Sequence, residues 1–460
     1  MAGTMLKFGV PLIVVAAVLY QVVLKDALFV ALGVGRTLQP ISDFPYQCRQ
    51  IRDPILQACE DMWLSETSRQ LFLACSDPFA RKQWLPNVGR LNASGRALDD
   101  AIIAMEIDNP KGESYEYRIV QTNNFHGVNG DGSLHLVGFT GVDSSAGVNF
   151  FVVNNRPSVH PITGELLDNA EVGANSTVER FVLAPPDATE MKHLQTFAHE
   201  NLATPNRVAA MGKNAFYVTN DHGPHKTGRS HQLSPVVGTG DVSYCTTARG
   251  CRTVADGLTF PNGLIRDPKN GYVYVPSSGK GGIHVYKTKR MDPGLDFVEH
   301  IPIPYPIDNL SQDSEGDIYI AALSDLTTMM EAMEDPLNKN PPSTVLRLRQ
   351  TESESGEKQW KWEKVLEDAK GEVLPGTTTA VHDAKTGRIF LSGVASPFIT
   401  DQMRILDSSP YVEQLRRLGH DLLKENSRLC ARIRALEKAL DDEKAIGMIL
   451  KATRRAKRRH

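Results

Sequence analysis

Net charge of either sign is nearly absent from this sequence. Its 51 Lys and Arg stand against 54 Asp and Glu, a formal −3, which argues against a general nucleic-acid binder. It also lacks a Gly-x-Ser-x-Gly elbow, a P-loop and a His-Glu-x-x-His pair. Serine-hydrolase, nucleotide-binding and zinc-protease readings therefore have no motif behind them. Cysteine is scarce, at six in 460 residues. Two of them, Cys245 and Cys251, flank the short polar loop Thr-Thr-Ala-Arg-Gly, a spacing suited to a local disulfide and hence to an oxidising compartment.

Apolar residues make up 41% of the chain, and 36 Gly with 27 Pro imply many turns. That balance suits an all-β body better than a helical one. The uncharged, mostly apolar run Phe8 to Leu24, bracketed by Lys7 and Lys25, is just long enough to span a bilayer. It is expected to be an uncleaved signal anchor within a segment 1–40, the other reading being a cleaved signal peptide. Sequons at Asn92 and Asn175 place glycans on a lumenal or extracellular body.

Six segments, 69–75, 148–154, 214–220, 271–276, 316–321 and 387–392, share an alternating apolar strand, most opening on a turn residue and closing on small polar residues. A second strand often follows, as at 282–287 and 343–348. Strand, turn, strand at blade-sized intervals predicts a six-bladed β-propeller over about 45–400, with a β-sandwich as the competing fold. Residues 408–460 differ in kind. Leu415, Leu422, Leu429 and Leu436 repeat every seven residues, with Val412, Asn426, Ile433 and Leu440 on the other seam position. This predicts a coiled-coil-like helix and a possible homodimer, or else an amphipathic helix on the propeller. The basic end 451–460 reads as a solvated tail.

Oxygen donors recur at matched positions. Glu60, Asn206, Asn262 and Asp308 with Asn309 each precede a predicted strand by roughly eight to ten residues. Equivalent positions on successive blades converge on a propeller's axis, so these donors are expected to meet. Two carboxylates and three amides, with no thiolate and no imidazole, suit Ca²⁺, which takes six to eight oxygens. Asn309-Leu310-Ser311 is also a sequon, but an amide committed to a metal has no room for a sugar.

The segments Cys59-Glu60-Asp61, Phe125-His126-Gly127, Thr219-Asn220-Asp221-His222, Phe260-Pro261-Asn262-Gly263-Leu264 and Ile307-Asp308-Asn309-Leu310-Ser311 together resemble the serum paraoxonase/arylesterase family. The resemblance implies a six-bladed propeller with two calcium ions in its channel. It places the catalytic ion on Glu60, Asn206, Asn262, Asp308 and Asn309. A second, structural ion would use Asp61 and the carbonyl of Val128. His126 matches the histidine that activates water, Asp221 a channel carboxylate beside His222, and Asn155 the position of a second channel histidine.

The chain departs from that pattern. Where the family has an Asp after the catalytic amide, Arg207 follows Asn206. A guanidinium cannot ligate a cation, so Arg207 is expected to pair with Asp61 in place of the second ion. Asn155 rules out a His–His relay. Cys48 matches the family's first disulfide cysteine, yet no cysteine lies near residue 400.

The expected activity is calcium-dependent hydrolysis of carboxylic esters or lactones, with calcium stabilising the oxyanion and His126 as base. A gluconolactonase or strictosidine-synthase-like enzyme and a non-catalytic calcium-binding scaffold are the alternatives.

Overall fold

The computed structural model describes residues 14–404, apart from 16, 19, 113, 129, 290–292 and 353–355. The predicted helical tail and residues 8–13, 16 and 19 of the apolar run lie outside the described residues. Among the described residues no helix is long and apolar enough to cross a membrane.

Twenty-four strands form six antiparallel four-stranded blades. The innermost strands are Asp61–Ser65, Leu136–Ser144, Pro205–Ala210, Ile265–Arg266, Ile307–Gln312 and Thr379–Asp383. They contact one another in cyclic order around a central channel. Tyr46–Ile51 closes the ring by pairing with Ile399–Arg404 as the outer strand of the sixth blade, Cys48 opposite Gln402. This closure joins the two ends of the propeller and leaves no open gap between blades. The outer strands of blades 1 and 2 also touch in parallel, Gln121 opposite Glu190.

The second strands are Gln70–Cys75, Gly147–Asn154, Ala215–Asn220, Tyr272–Pro276, Ile318–Ala322 and Arg388–Ser392. They coincide with the six segments picked out by sequence. Each is sandwiched between neighbouring blades, so both faces are apolar. Successive side chains point opposite ways along a strand. Leu71 and Leu73 accordingly pack toward blade 6 with Val381 and Phe390, while Phe72 and Ala74 pack toward blade 2 with Phe139 and Phe150. In blade 3, Phe216 and Val218 join blade 2, and Tyr217 joins blade 4. Each interface between blades holds one hydrophobic cluster. Outer strands such as Leu295–Ile301 expose most of their length and carry a weaker signal.

Two disulfides are present. Cys245–Cys251 closes the hairpin of blade 3. Cys59–Cys75, which sequence reasoning missed, ties the start of blade 1's inner strand to the end of its second strand. Both are chemistry of an oxidising compartment. Cys48 is the free cysteine among the described residues, and burial pushes its thiol up to about 11, so it stays protonated.

Candidate metal centre in the channel

Two inner strands break register where candidate ligands stand, between Pro205 and Val208 and between Ile307 and Leu310, and blade 2's inner strand breaks at the matching place, between Leu136 and Phe139. A bulge re-aims the side chains of the bulged strand. Here Asn206, Asp308 and Asn309 fall inside bulges. Glu60 immediately precedes its inner strand, and Asn262 lies three residues before Ile265.

The matched spacing has a geometric cause. Glu60, Asn206, Asn262 and Asp308 lie nine or ten residues ahead of second strands beginning at 70, 215, 272 and 318. That interval is one inner strand plus its turn, so each residue sits at the same end of its blade. The same offset picks out Val137 and Thr378 in blades 2 and 6, and both belong to the site. Val137 lines the cavity above the ligands, and Thr378 Oγ1 donates to Glu60 Oε2 at 2.6 Å.

Each amide is oriented by tethering its nitrogen. Asn206 Nδ2 donates to Asp221 Oδ2 (3.3 Å), Asn262 Nδ2 to Ser278 Oγ (3.1 Å), and Asn309 Nδ2 to Thr379 Oγ1 (2.9 Å) and Glu60 Oε1 (3.2 Å). The opposite atoms, Asn206 Oδ1, Asn262 Oδ1 and Asn309 Oδ1, are buried with no hydrogen-bond partner, as is Asp308 Oδ1. Four orphaned acceptors facing one channel form a costly arrangement. A hard cation would satisfy all four, so the residues fit calcium. Among the described residues no three His, Cys, Asp or Glu side chains are placed to hold a metal ion between them, so the fit rests on amide oxygens as much as on carboxylates. Asn309 is only 1% exposed, which closes it to a glycan, whereas Asn92 and Asn175 are exposed.

Burial pushes the Glu60 carboxyl up to about 7; the Thr378 hydrogen bond opposes the rise and nearby Asp61 adds to it. Asp308 is raised well above the usual carboxylate range by burial and by repulsion from Glu60 and Asp61. Both shifts belong to a site that concentrates negative charge away from water.

Above the ligands lies a cavity of about 370 Å³ with apolar walls, including Leu85, Val137, Leu326, Met329 and Met333. Asp26, Ala27 and Ala31 of the N-terminal segment also line it. That segment is pinned by Arg36, whose guanidinium donates to Ser324 O and Pro304 O and lies over the Tyr305 ring. A second, more polar cavity shares Asn87, Val88, Pro235 and Phe260 with the first and is lined by His222 and His231.

Asp221 lines neither cavity but bonds to residues of both. Its Oδ2 accepts from Asn206 and from Asn87 (2.6 Å), and its Oδ1 faces His222 Nδ1 at 2.7 Å. His222 stacks on His231 with ring centroids 3.6 Å apart. Asn155 donates to Asn87 Oδ1 (2.6 Å) and accepts from Ser176, so it supports this network as an amide.

Two expected residues are elsewhere. His126 is exposed on the loop after blade 1 and lines neither cavity, because the chain runs nine more residues before blade 2's inner strand begins at Leu136. Val128 lies on that same loop, its amide donating to Asp131 and its carbonyl accepting from the Asp131 amide. The histidine beside the inner strand of blade 2 is His135, two residues ahead of Val137. It is buried, its carbonyl accepts from Asn155 N, and burial lowers it to about 4. The offset shared by the ligand residues points to Val137 and passes His135 by two positions.

The Arylesterase family model matches residues 169–394. Serum paraoxonase/arylesterase 2 of Gallus gallus is 30% identical over 293 residues, covering 62% of this chain and 72% of that protein. Serum paraoxonase/arylesterase 1 of Rattus norvegicus is 31% identical over 212 residues, covering 45% of this chain and 56% of that protein. The chain thus spans little more than half the length of the rat relative. Among solved structures, a gluconolactonase from Xanthomonas campestris is 14% identical with a TM-score of 0.44, covering 78% of this chain and 89% of its own, a likeness too slight to bear on function. Sequence kinship, together with a six-bladed ring that brings these oxygens onto one axis, assigns the chain to the serum paraoxonase/arylesterase family.

Proposed function

We propose that the chain is a calcium-dependent hydrolase of carboxylic esters or lactones. One observation carries this: four buried oxygens lack a partner beside Glu60, and three of their residues, Asn206, Asn262 and Asp308, line the apolar cavity together with Glu60. Glu60, Asn206, Asn262, Asp308 and Asn309 would hold the ion. Calcium supplies positive charge that polarises a carbonyl and stabilises the oxyanion formed on attack.

The rest is the work of the chain's own residues. The apolar walls take the acyl or aryl part of the substrate and exclude bulk water. Thr378, Thr379, Ser278 and Asp221 hold the ligand side chains in place. With Asp221 accepting at Nδ1, His222 keeps that proton and presents Nε2 as the acceptor for a proton from water. His222 therefore takes the role that sequence reasoning gave to His126.

Phenyl acetate and lactone hydrolysis, with and without a chelator, tests the reading. Turnover should vanish with chelator and in Asp308→Ala. Chelator-insensitive turnover would refute the metal role, and no turnover at all would favour a non-catalytic calcium-binding propeller, the reading that Asn155 keeps in play. The site residues and the 45–400 domain are part of this proposal. So is the membrane anchor, supported by the hydropathy of residues 8–24 alone, and so is dimerisation through 408–460, supported by the Leu heptads alone.

A further inference from the structure

We infer that Arg207 is a resident cation of the channel, so that the propeller has no second calcium site. The inference rests on the calcium reading above only for the upper ion. Asp61 is wholly buried in the channel wall, directly after the ligand Glu60. Both of its oxygens are occupied: Oδ2 accepts from Phe139 N at 2.9 Å and from Arg207 Nε at 2.7 Å, and Oδ1 accepts from Met62 N at 2.8 Å. The Arg207 guanidinium also donates through Nη1 to Leu310 O, in the strand that carries Asp308 and Asn309. Neither Asp61 nor Arg207 has a buried polar atom lacking a partner, whereas four ligand oxygens next to them do.

The upper position is thus a set of acceptors awaiting a cation, and the position beneath it already contains one. Val128, the other ligand implied for a second ion, has its carbonyl engaged by Asp131 N at 3.1 Å. The bulge at 205–208 explains the arrangement. It turns Asn206 into the upper cavity and Arg207 into a lower one of about 470 Å³, whose walls include Leu310 and Asp313. The Arg207–Asp61 pair therefore forms the partition of the channel. A guanidinium stays protonated at any physiological pH and is covalently attached. A chelator cannot remove it, so calcium is left to control the ligand set and not the integrity of the ring.

Equilibrium dialysis of the full chain against calcium tests this. The wild type should bind one ion per chain, and a folded Arg207→Asp variant should bind one more, since it would place a carboxylate beside Asp61 and Leu310 O. Two ions on the wild type, or no gain in folded R207D, overturns the inference. A wild type binding none refutes the upper-site reading, and the gain in R207D still judges Arg207. Should R207D fail to fold, the double variant Asp61→Asn, Arg207→Met takes its place. An unchanged ion count supports the inference, and loss of an ion shows that Asp61 is a calcium ligand. Wild type in excess chelator should keep a cooperative thermal transition by circular dichroism; its loss would equally count against a resident cation.

Discussion

The Asn309 amide donates to Glu60 Oε1 at 3.2 Å, joining the fifth blade to the first across 249 positions of sequence. Glu60 in turn accepts from Thr378 of the sixth blade. Three blades thus share one polar contact at the axis, and the geometry of the ligand set depends on closure of the whole ring.

Asn309 reaches this position only because residue 263 is glycine. A Cβ built on Gly263 would lie 1.8 Å from Asn309 Oδ1. Gly263→Ala should therefore displace Asn309, costing about 1–3 kcal/mol of stability and weakening calcium binding. Urea denaturation and calcium titration read the two effects. A variant with wild-type values in both would show that Asn309 is not held by this close approach.

The raised carboxyls set a pH dependence. Glu60 in the calcium-free fold sits at about 7 against an ordinary 4.5, so the fold retains a proton that the unfolded chain releases. The stability this contributes is full below about pH 4.5 and is lost as pH rises through about 7. Calcium-free protein should melt at a lower temperature at about pH 8 than at about pH 5.5, and calcium affinity should rise over the same window. Calorimetry with chelator checks the first and titration calorimetry the second. Affinity independent of pH would mean that Glu60 and Asp308 are not ligands.

His222 and His126 separate by substitution. His222→Asn should lower kcat by a factor on the order of 10² to 10⁴ with calcium binding preserved. His126→Asn, on an exposed loop, should change neither by more than about twofold. The reverse pattern would return the base to the loop histidine.

The Cys59–Cys75 bridge flanks Glu60, whose amide donates to Ala74 O at 3.1 Å. Replacing both cysteines by Ala should cost about 3 kcal/mol, the effect expected for a loop of this size. Calcium affinity should fall as Glu60 loses its tether. Guanidinium unfolding and dialysis measure these, and unchanged calcium affinity would confine the bridge to a purely structural role.

The ring and its site were unequally legible in the sequence. The six second strands stood out because burial on both faces makes them nearly continuous apolar runs, from Leu71 in blade 1 to Leu391 in blade 6. Outer strands, half exposed, did not. The candidate oxygen donors were legible through their fixed offset from those strands. Val137, Thr378 and His135 obey the same offset or lie beside it, and were missed because an apolar residue, a hydroxyl and a histidine do not look like one ligand set.

What the sequence determined by itself was the number of blades, the end of the channel where the oxygens gather, and the presence of Arg207 after Asn206. Periodicity and spacing along one strand encode all three. Tertiary structure alone decided the partners. It set His222 against Asp221, placed His126 outside the channel, bonded Cys59 to Cys75 and laid Arg207 onto Asp61. Each of these depends on loop paths and on bulges that turn neighbouring residues toward opposite ends of the channel, and neither leaves a period in the chain.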